Sequence, residues 1–332
     1  MPVRNFGTFS RYFSQQRIAD IVGGLPKPDT QLTDLLFPPE RRVQKASPYI
    51  TARDIKQATG AIPLVRRDGR SVPIDATESV NSLIEVDPFK PSLFVSAKDI
   101  NDMIAAGEST SVETQLAQWI QELRDSVSAS TEILVRQAMS GKISYPYSTI
   151  NGAGGVCEIT LGTPHTLKSA SLSASSTLVD VQKMFESALA EHSNKTGATG
   201  RPVFLMGYAA YAALVDVLIK MGGSAPVVWN TNGLTLLGKY SIQTAALTYQ
   251  LPGDKTVHKI IADNSVRIYD QANPGKLIYA ALDDLDANLA PLPFYAKPVE
   301  VNDPDGVKLI GDSKPFPALA MSRQSEFTVV TK

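Results

Sequence analysis

The sequence predicts an α+β fold without regular βαβ repetition. Three observations carry that prediction. One unbroken amphipathic helical pattern covers about residues 110–140, short alternating apolar runs lie on either side of it, and prolines punctuate the C-terminal stretch. With 43% hydrophobic and 20% charged residues over 332 positions, the chain has enough apolar surface for one large domain or two.

Residues 1–30 read as an arm. Phe6, Phe9, Tyr12 and Phe13 are scattered among arginines, followed by Gly23-Gly24 and Pro26-Lys27-Pro28. Such a segment builds no core alone, so its aromatics dock elsewhere. The apolar Leu32–Phe37 piece is stopped by Pro38-Pro39. Extended pieces follow near Val43, Tyr49-Ile50 and Ile62–Val65. Arg66-Arg67-Asp68-Gly69-Arg70 reads as a charged turn with glycine at the tight position. Strand pieces at Val72–Ile74 and Leu83–Val86 flank it, giving a long two-stranded excursion that must rest on another surface.

The long helix begins with Thr110-Ser-Val-Glu113, which fits a capping box. Val112, Leu116, Trp119, Leu123, Val127, Leu134 and Ala138 follow three-or-four spacing, and Gly141 is the stop. At about 1.5 Å per residue the helix is a rod of roughly 46 Å, suited to lying against a sheet. Gln115, Gln118, Glu122, Ser126 and Gln137 mark the polar face. Alternation over 142–162 around Asn151–Gly155 predicts a hairpin. Helices are predicted for about Leu178–Glu191 and Tyr208–Met221, with a buried strand at Val203–Met206 between them. Strands return at Ser241–Tyr249, Val257–Ala262, Val266–Tyr269, Leu277–Ala281 and Glu326–Thr331. Pro291, Pro293, Pro298, Pro304, Pro315 and Pro317 break the stretch before the last of these.

Net charge is −1, less basic than a dedicated duplex binder. It is unevenly spread: residues 1–70 hold twelve basic and six acidic side chains, the remainder 20 basic and 27 acidic. A basic segment on an acidic body fits pairing between copies or an arm facing a polyanion; plain solvation of both is the bland alternative. Met1–Ser10 lacks a signal-peptide layout and no 18-residue apolar run occurs, so a soluble protein made in a cytoplasm is expected. Cys157 is the single cysteine, which excludes an internal disulfide; its strand position reads as a small buried hydrophobe.

Motifs for chemistry are weak. Gly233–Tyr240 approaches a phosphate-binding loop, but Tyr240 stands where serine or threonine must bind magnesium, and a strand pattern follows. The glycines of 151–155 suit a hairpin turn better than a phosphate cradle. Asp283-Asp284-Leu285-Asp286 reads as a solvated acidic turn, with calcium binding or a seat for the basic arm as alternatives. His165, His192 and His258 show no metal spacing, and no G-x-S-x-G elbow occurs. No catalytic, cofactor or metal site is expected.

The order of these features resembles the lambda-type major capsid protein (protein E) family of tailed bacteriophages, over about residues 31–330. Leu35-Leu36-Phe37-Pro38 resembles that family's entry into the body. Ile62-Pro63-Leu64-Val65 with the Arg67–Val72 turn, and Val86-Asp87-Pro88-Phe89-Lys90-Pro91, are similar to the two arms of its extended loop. Gly141-Lys142-Ile143-Ser144 and Val156-Cys157-Glu158-Ile159 resemble its post-spine hairpin. Lys239–Tyr249 and Ile260–Asn264 resemble its axial strands, and Phe294-Tyr295 through Val330 its closing strands. Within the family the nearest likeness is to a short-tailed Bordetella phage capsid protein.

The resemblance implies an α+β Hong Kong 97-like phage capsid fold. Its parts would be an N-terminal arm (1–45), a peripheral domain (46–60, 101–164 and 291–332) with a spine helix at 110–140, an extended loop (61–100) and an axial domain (165–290). It implies a structural protein, not an enzyme, that self-assembles as hexamers and pentamers into the icosahedral head around double-stranded DNA. Subunit-interface candidates are Arg66, Arg67, Asp68, Arg70, Phe89, Arg41 and Arg42. Candidates for the DNA-facing inner surface are Arg4, Arg11 and Arg17. Expected partners are copies of itself, a separate scaffolding protein, a portal, a cement protein and packaged DNA bound non-specifically, with no membrane and no cofactor. No Lys–Asn cross-link is expected, because no local Lys–acid–Asn arrangement is visible. The rivals are an encapsulin-like compartment shell and an enzyme with an unmarked Ser or His site; a pocket holding one histidine beside a nucleophile would favour the latter.

Overall fold

The structure is a computed structural model that describes residues 13–28, 30–55, 83–105, 109–148, 154–173, 175–197, 200–221, 226–230, 233–244, 248–271 and 274–331. Seven helices occur among them: α1 (Gln15–Gly24), α2 (Gln31–Leu36), α3 (Ala52–Ile55), α4 (Ala97–Ala105), α5 (Ser109–Met139), α6 (Leu178–Thr196) and α7 (Tyr208–Lys220). The chain divides into two compact units, each assembled from separated stretches. One comprises Met1–Thr51, Ser82–Glu132 and Leu277–Phe316; the other comprises Ala52–Asn81, Ile133–Lys276 and Pro317–Lys332.

The first unit is a three-stranded antiparallel sheet faced by α5. The Asp305–Asp312 strand lies in the middle, with Tyr295–Asn302 and Ser92–Ser96 on its flanks. Val112, Leu116, Ile120 and Leu123 of α5 form one core with Val95, Ala296, Val307 and Leu309 of the sheet. Four residues spaced by three or four meet the alternate positions of the strands because both periodicities bring one face round to the same side. Phe13 and Ile18 complete this core, so the predicted arm is docked at these two residues, and α1 gives this part of it regular structure. Ser14 caps α1, its hydroxyl accepting from the Arg17 N–H at 3.2 Å.

Several sequence expectations change here. Ile120, not Trp119, lies in the buried stripe of α5; Trp119 is only half-buried. The helix starts at Ser109, one residue ahead of the predicted cap, which puts Thr110 inside it. The proline-broken tail instead holds two eight-residue strands. Pro298 is tolerated because its strand is an outer one of the three, where an N–H can be lost, and Pro304 sits in the turn, after a cis bond from Asp303. Of the predicted excursion, Leu83–Glu85 pairs antiparallel with Tyr49–Thr51; residues 56–82 lie outside the described residues.

The second unit carries an eight-stranded mixed sheet. Its order is Val227–Asn230, Gly233–Leu236, Tyr240–Thr244, Pro202–Met206, Ser265–Asp270, Ser325–Thr331, then His165–Thr166, with Ala170–Leu172 also beside Ser325–Thr331. Phe204, Met206, Ile242, Val266, Ile268 and Phe327 of the sheet pack with Val181, Phe185, Leu214 and Val217 of α6 and α7. Thr177 and Asp180 form a reciprocal capping box that starts α6, and Gly197, in the left-handed conformation at φ 64°, ends it. The predicted hairpin after α5 is present, with Lys142–Tyr147 paired to Gly155–Thr160; its turn at 149–153 lies outside the described residues. Gly141 turns the chain out of α5 at φ 89°, where a Cβ would stand 2.1 Å from the Gly162 carbonyl oxygen. Only glycine meets both demands.

Candidate functional site

The residues singled out in the sequence do not converge on a catalytic centre. Gly233–Leu236 and Tyr240–Thr244 are antiparallel partners joined through Leu237 and Gly238, both in the left-handed region, so no helix stands behind that loop to hold a phosphate. His165 Nε2 donates to the Ser322 carbonyl at 3.0 Å, and His258 lies 3.4 Å from Asp254. His192 does meet a serine: its Nδ1 is 2.8 Å from Ser325 Oγ. Ser325 has no exposed surface and His192 is 2% exposed, so no substrate can approach the pair. The contact joins α6 to the Ser325–Thr331 strand inside the sheet's core. No group of three or more His, Cys, Asp or Glu side chains is placed to hold a metal among the described residues. Cys157 is half-buried, not buried, since its strand exposes one face.

Burial holds the His192 imidazole below its ordinary pKa, and His165 adds to this while Asp270 opposes it. The unfolded chain therefore binds more protons than the folded chain just below about pH 6.5. Stability is expected to be flat above that value and to fall as pH drops through the window beneath it. His192→Gln, which cannot ionise, should flatten this part of a melting-temperature profile taken from pH 5 to 7.5. An unchanged profile would remove His192 as its source.

The acidic turn at Asp283–Asp286 corrects the solvated reading. Lys297 Nζ reaches Asp284 at 2.5 Å and Asp286 at 3.1 Å, and the buried Lys314 binds Asp283. Burial works against the Asp284 carboxylate, but the hydrogen bond and charge of Lys297 together with the Asp286 and Ala287 amides outweigh it and keep the carboxyl below its usual range. The same contacts hold Lys297 above its ordinary value against its own burial. The turn is thus an ion-paired clamp of its own unit, whose cations come from the strand of residues 295–302 and from position 314.

Of the proposed contact residues, Arg4, Arg11, Arg66, Arg67, Asp68 and Arg70 lie outside the described residues. Arg17, on α1, pairs with Glu113 of α5 at 2.7 Å, both partly exposed. Arg41 ends a short 3-10 turn that begins at Pro39. Arg42 opens a strand parallel to Leu277–Ala280, donates through Nε to the Phe37 carbonyl at 2.9 Å, and binds Asp34. Phe89 is tied to Ser313 by backbone hydrogen bonds of 2.8 and 3.2 Å, beside the Lys90–Asp312 ion pair at 3.2 Å. Asp312 is 2% exposed; burial raises its carboxyl above the usual range while the Lys90 charge opposes.

Sequence reasoning missed the polar side chains that organise these elements. Glu132 of α5 accepts from the Leu32 and Thr33 amides, each at 2.9 Å, and from the Thr33 hydroxyl at 2.6 Å. Gln137, predicted on the polar face, is buried. It donates to the Ser144 carbonyl at 2.7 Å and accepts the Ser144 N–H at 3.1 Å, as a neighbouring strand would. Arg267, 4% exposed, binds the Met139 carbonyl at the end of α5 and the Glu326 carboxylate. No local pattern marks any of them.

The α+β fold described above has a counterpart among solved structures. It is similar to the crystal structure of a protein described as the capsid protein of an E. coli CFT073 prophage, with TM-score 0.62 and 16% identity, covering 96% of this chain and 99% of that one. Slighter likenesses link it to a phage-related protein from Bordetella bronchiseptica RB50 (TM-score 0.45, 10% identity, 94% and 95% covered) and to the capsid of cyanophage A-1(L) (0.42, 16%, 93% and 94%). Neither places the chain more narrowly, the Bordetella likeness included. No curated protein matches the sequence. The sequence matches the family described as Phage major capsid protein E over residues 14–323, and the chain belongs to that family. It is a major capsid protein with the Hong Kong 97-type fold, a structural component of the bacteriophage virion that associates with copies of itself, and not an enzyme. Among the described residues no helix is long and apolar enough to cross a membrane.

Proposed function

We propose that the chain assembles as hexamers and pentamers into an icosahedral head that encloses double-stranded phage DNA, built in the cytoplasm of the bacterial host. The family match over residues 14–323 is the observation that carries this reading. Residues 1–45 act as an arm and 61–100 as an extended loop, both reaching neighbours, around a peripheral domain with its spine helix and an axial domain at 165–290. A closed shell uses heterologous contact, one patch meeting a different patch until rotation closes a ring. The basic surplus of residues 1–70 and the acidic surplus of the rest suit such contact. Arg66, Arg67, Asp68 and Arg70 contact the adjacent subunit, with Phe89, Arg41 and Arg42 near the roots of the loop and arm. Arg4, Arg11 and Arg17 face inward and hold DNA by charge, without reading bases. A separate scaffolding protein, a portal and a cement protein complete the particle.

The test is electron microscopy of the chain expressed alone and with its scaffold. Closed shells of uniform diameter are expected; dispersed subunits under both conditions would overturn the reading. Charge reversal at Arg66→Glu with Arg67→Glu should cut the shell yield by at least about tenfold while melting stays within about 0.5 kcal/mol of the parent, because surface substitutions rarely cost more and each contact repeats across the shell. Normal particles from the double variant would remove these arginines from the interface.

A further inference from the structure

In the first unit a cavity of about 190 Å³ opens between the segment around Lys27–Asp34, the strand that begins at Arg42, the middle of α5 and the strand that holds Tyr279. Water occupies roughly 30 Å³ per molecule in the liquid, so the space holds several waters or one small ion with part of its shell. Its lining is charged on one side of neutral. Among the described residues, Lys27, Arg42 and Arg124 stand against Asp34. Asp34 is taken by Arg42, which also donates to the Phe37 carbonyl. Arg124 uses one N–H on the Leu25 carbonyl at 3.3 Å and has no carboxylate partner among the described residues. A guanidinium carries five donors in a planar fork, so most of those of Arg124 remain available. Tyr279 is 8% exposed, and its hydroxyl makes no hydrogen bond among the described residues. Burial raises its phenol above the ordinary value; the charge of Arg42 opposes that rise, Asp34 adds to it and Arg124 opposes it, so both guanidinium groups and the one carboxylate act on the phenol.

A tyrosine hydroxyl that faces the cavity and a half-buried guanidinium with open N–H groups, under a surplus of positive charge among the described lining residues, suit an acceptor with negative charge. We infer that this cavity is a binding site for a small oxyanion of the phosphate or carboxylate class. The Arg124 fork takes two of the anion's oxygens, the Tyr279 hydroxyl donates to one, and Lys27 at the rim supplies long-range attraction. Because the lining comes from five separated stretches of the unit, an occupied site ties the residues that follow α1 to α5. The inference does not rest on the assembly reading, and it is tested on dispersed chains.

The experiment titrates inorganic phosphate into the purified full chain at constant ionic strength, balanced with sodium chloride, and reads heat by calorimetry and melting temperature in parallel. A saturable response of one site per chain, with a rising melting temperature, is expected. Arg124→Gln should weaken it by about tenfold or more, as the loss of a charge-assisted fork does. Tyr279→Phe, which keeps the ring and removes only the hydroxyl, should weaken it less and serves if the arginine variant fails to fold. Lys220→Gln, at the end of α7, should leave it unchanged. Glutarate in competition separates the sources. Displacement of phosphate points to a carboxylate side chain of another copy as the occupant, and failure to displace it points to free phosphate. No saturable response to either anion, or an equal response in Arg124→Gln and Tyr279→Phe, would overturn the inference.

Discussion

Arg267→Ala is expected to destabilise the unit that carries the eight-stranded sheet by about 3 kcal/mol or more, the usual cost of removing one partner of a buried ion pair. The side chain is 4% exposed and bridges two things that do not otherwise meet: the last carbonyl of α5, at Met139, and Glu326 on the neighbouring strand. The carbonyl belongs to a helix C-terminus, where backbone dipoles concentrate negative charge and a cation is favoured. Truncation leaves that carbonyl and the Glu326 carboxylate without their donor and opens a void in a packed layer. The double variant Arg267→Met, Glu326→Leu should recover most of the loss, since apolar side chains of similar volume replace buried ion pairs at little cost. Urea unfolding would give the midpoints, and hydrogen exchange over 265–270 and 325–331 would locate the change. A single variant within about 0.5 kcal/mol of the parent would show that the bridge contributes nothing.

Glu132→Ala should cost the other unit about 3 kcal/mol. Three donors converge on that carboxylate, two of them amides at the start of α2 that have no partner within the helix. Hydrogen bonds to a charged acceptor contribute about 1.5–3 kcal/mol each, and not additively. A six-residue helix is far too short to persist alone, so α2 depends on this anchor and on the burial of Leu32, Leu36 and Phe37. Protection of the Leu32 and Thr33 amides should collapse in Glu132→Ala, and proteolysis within 25–45 should become rapid. Glu132→Gln, which keeps one acceptor oxygen but turns an NH₂ toward the remaining donors, should fall between. Undiminished protection in the alanine variant would mean that burial alone holds α2.

What could be read from the sequence was periodic. The stripe on α5, the hairpin after it, α6, α7 and the strand at Val203–Met206 all stand close to where spacing places them, because burial of one face is written along the chain itself. The family's shell-forming role was legible in the order of those elements. The polar anchors were not. Glu132 reaches residues a hundred positions earlier, and Arg267 meets Met139 and Glu326 across separations of 128 and 59. No window of sequence contains both partners. Prolines misled for a related reason: whether Pro298 breaks a strand depends on its being an outer one, which only the finished sheet decides. The acidic turn looked solvated because Lys297 and Lys314, which pair with its carboxylates, lie outside it in sequence.

The position of Ser325–Thr331 bears on when this protein becomes able to fold. That strand lies between Ser265–Asp270 and the pieces at His165–Thr166 and Ala170–Leu172, all made long before it. Until the ribosome has released residues 325–331, the sheet stays open where they belong, and Phe327 and Val329 are missing from its core. The whole of 277–316 must be synthesised first, and that stretch belongs to the other unit. The unit that carries the eight-stranded sheet therefore cannot complete itself on a nascent chain that stops short of 325, whereas every residue of the other unit has been made by Phe316. Completion of that sheet is therefore set by the order of synthesis, because the strand at its junction is made after every strand it touches.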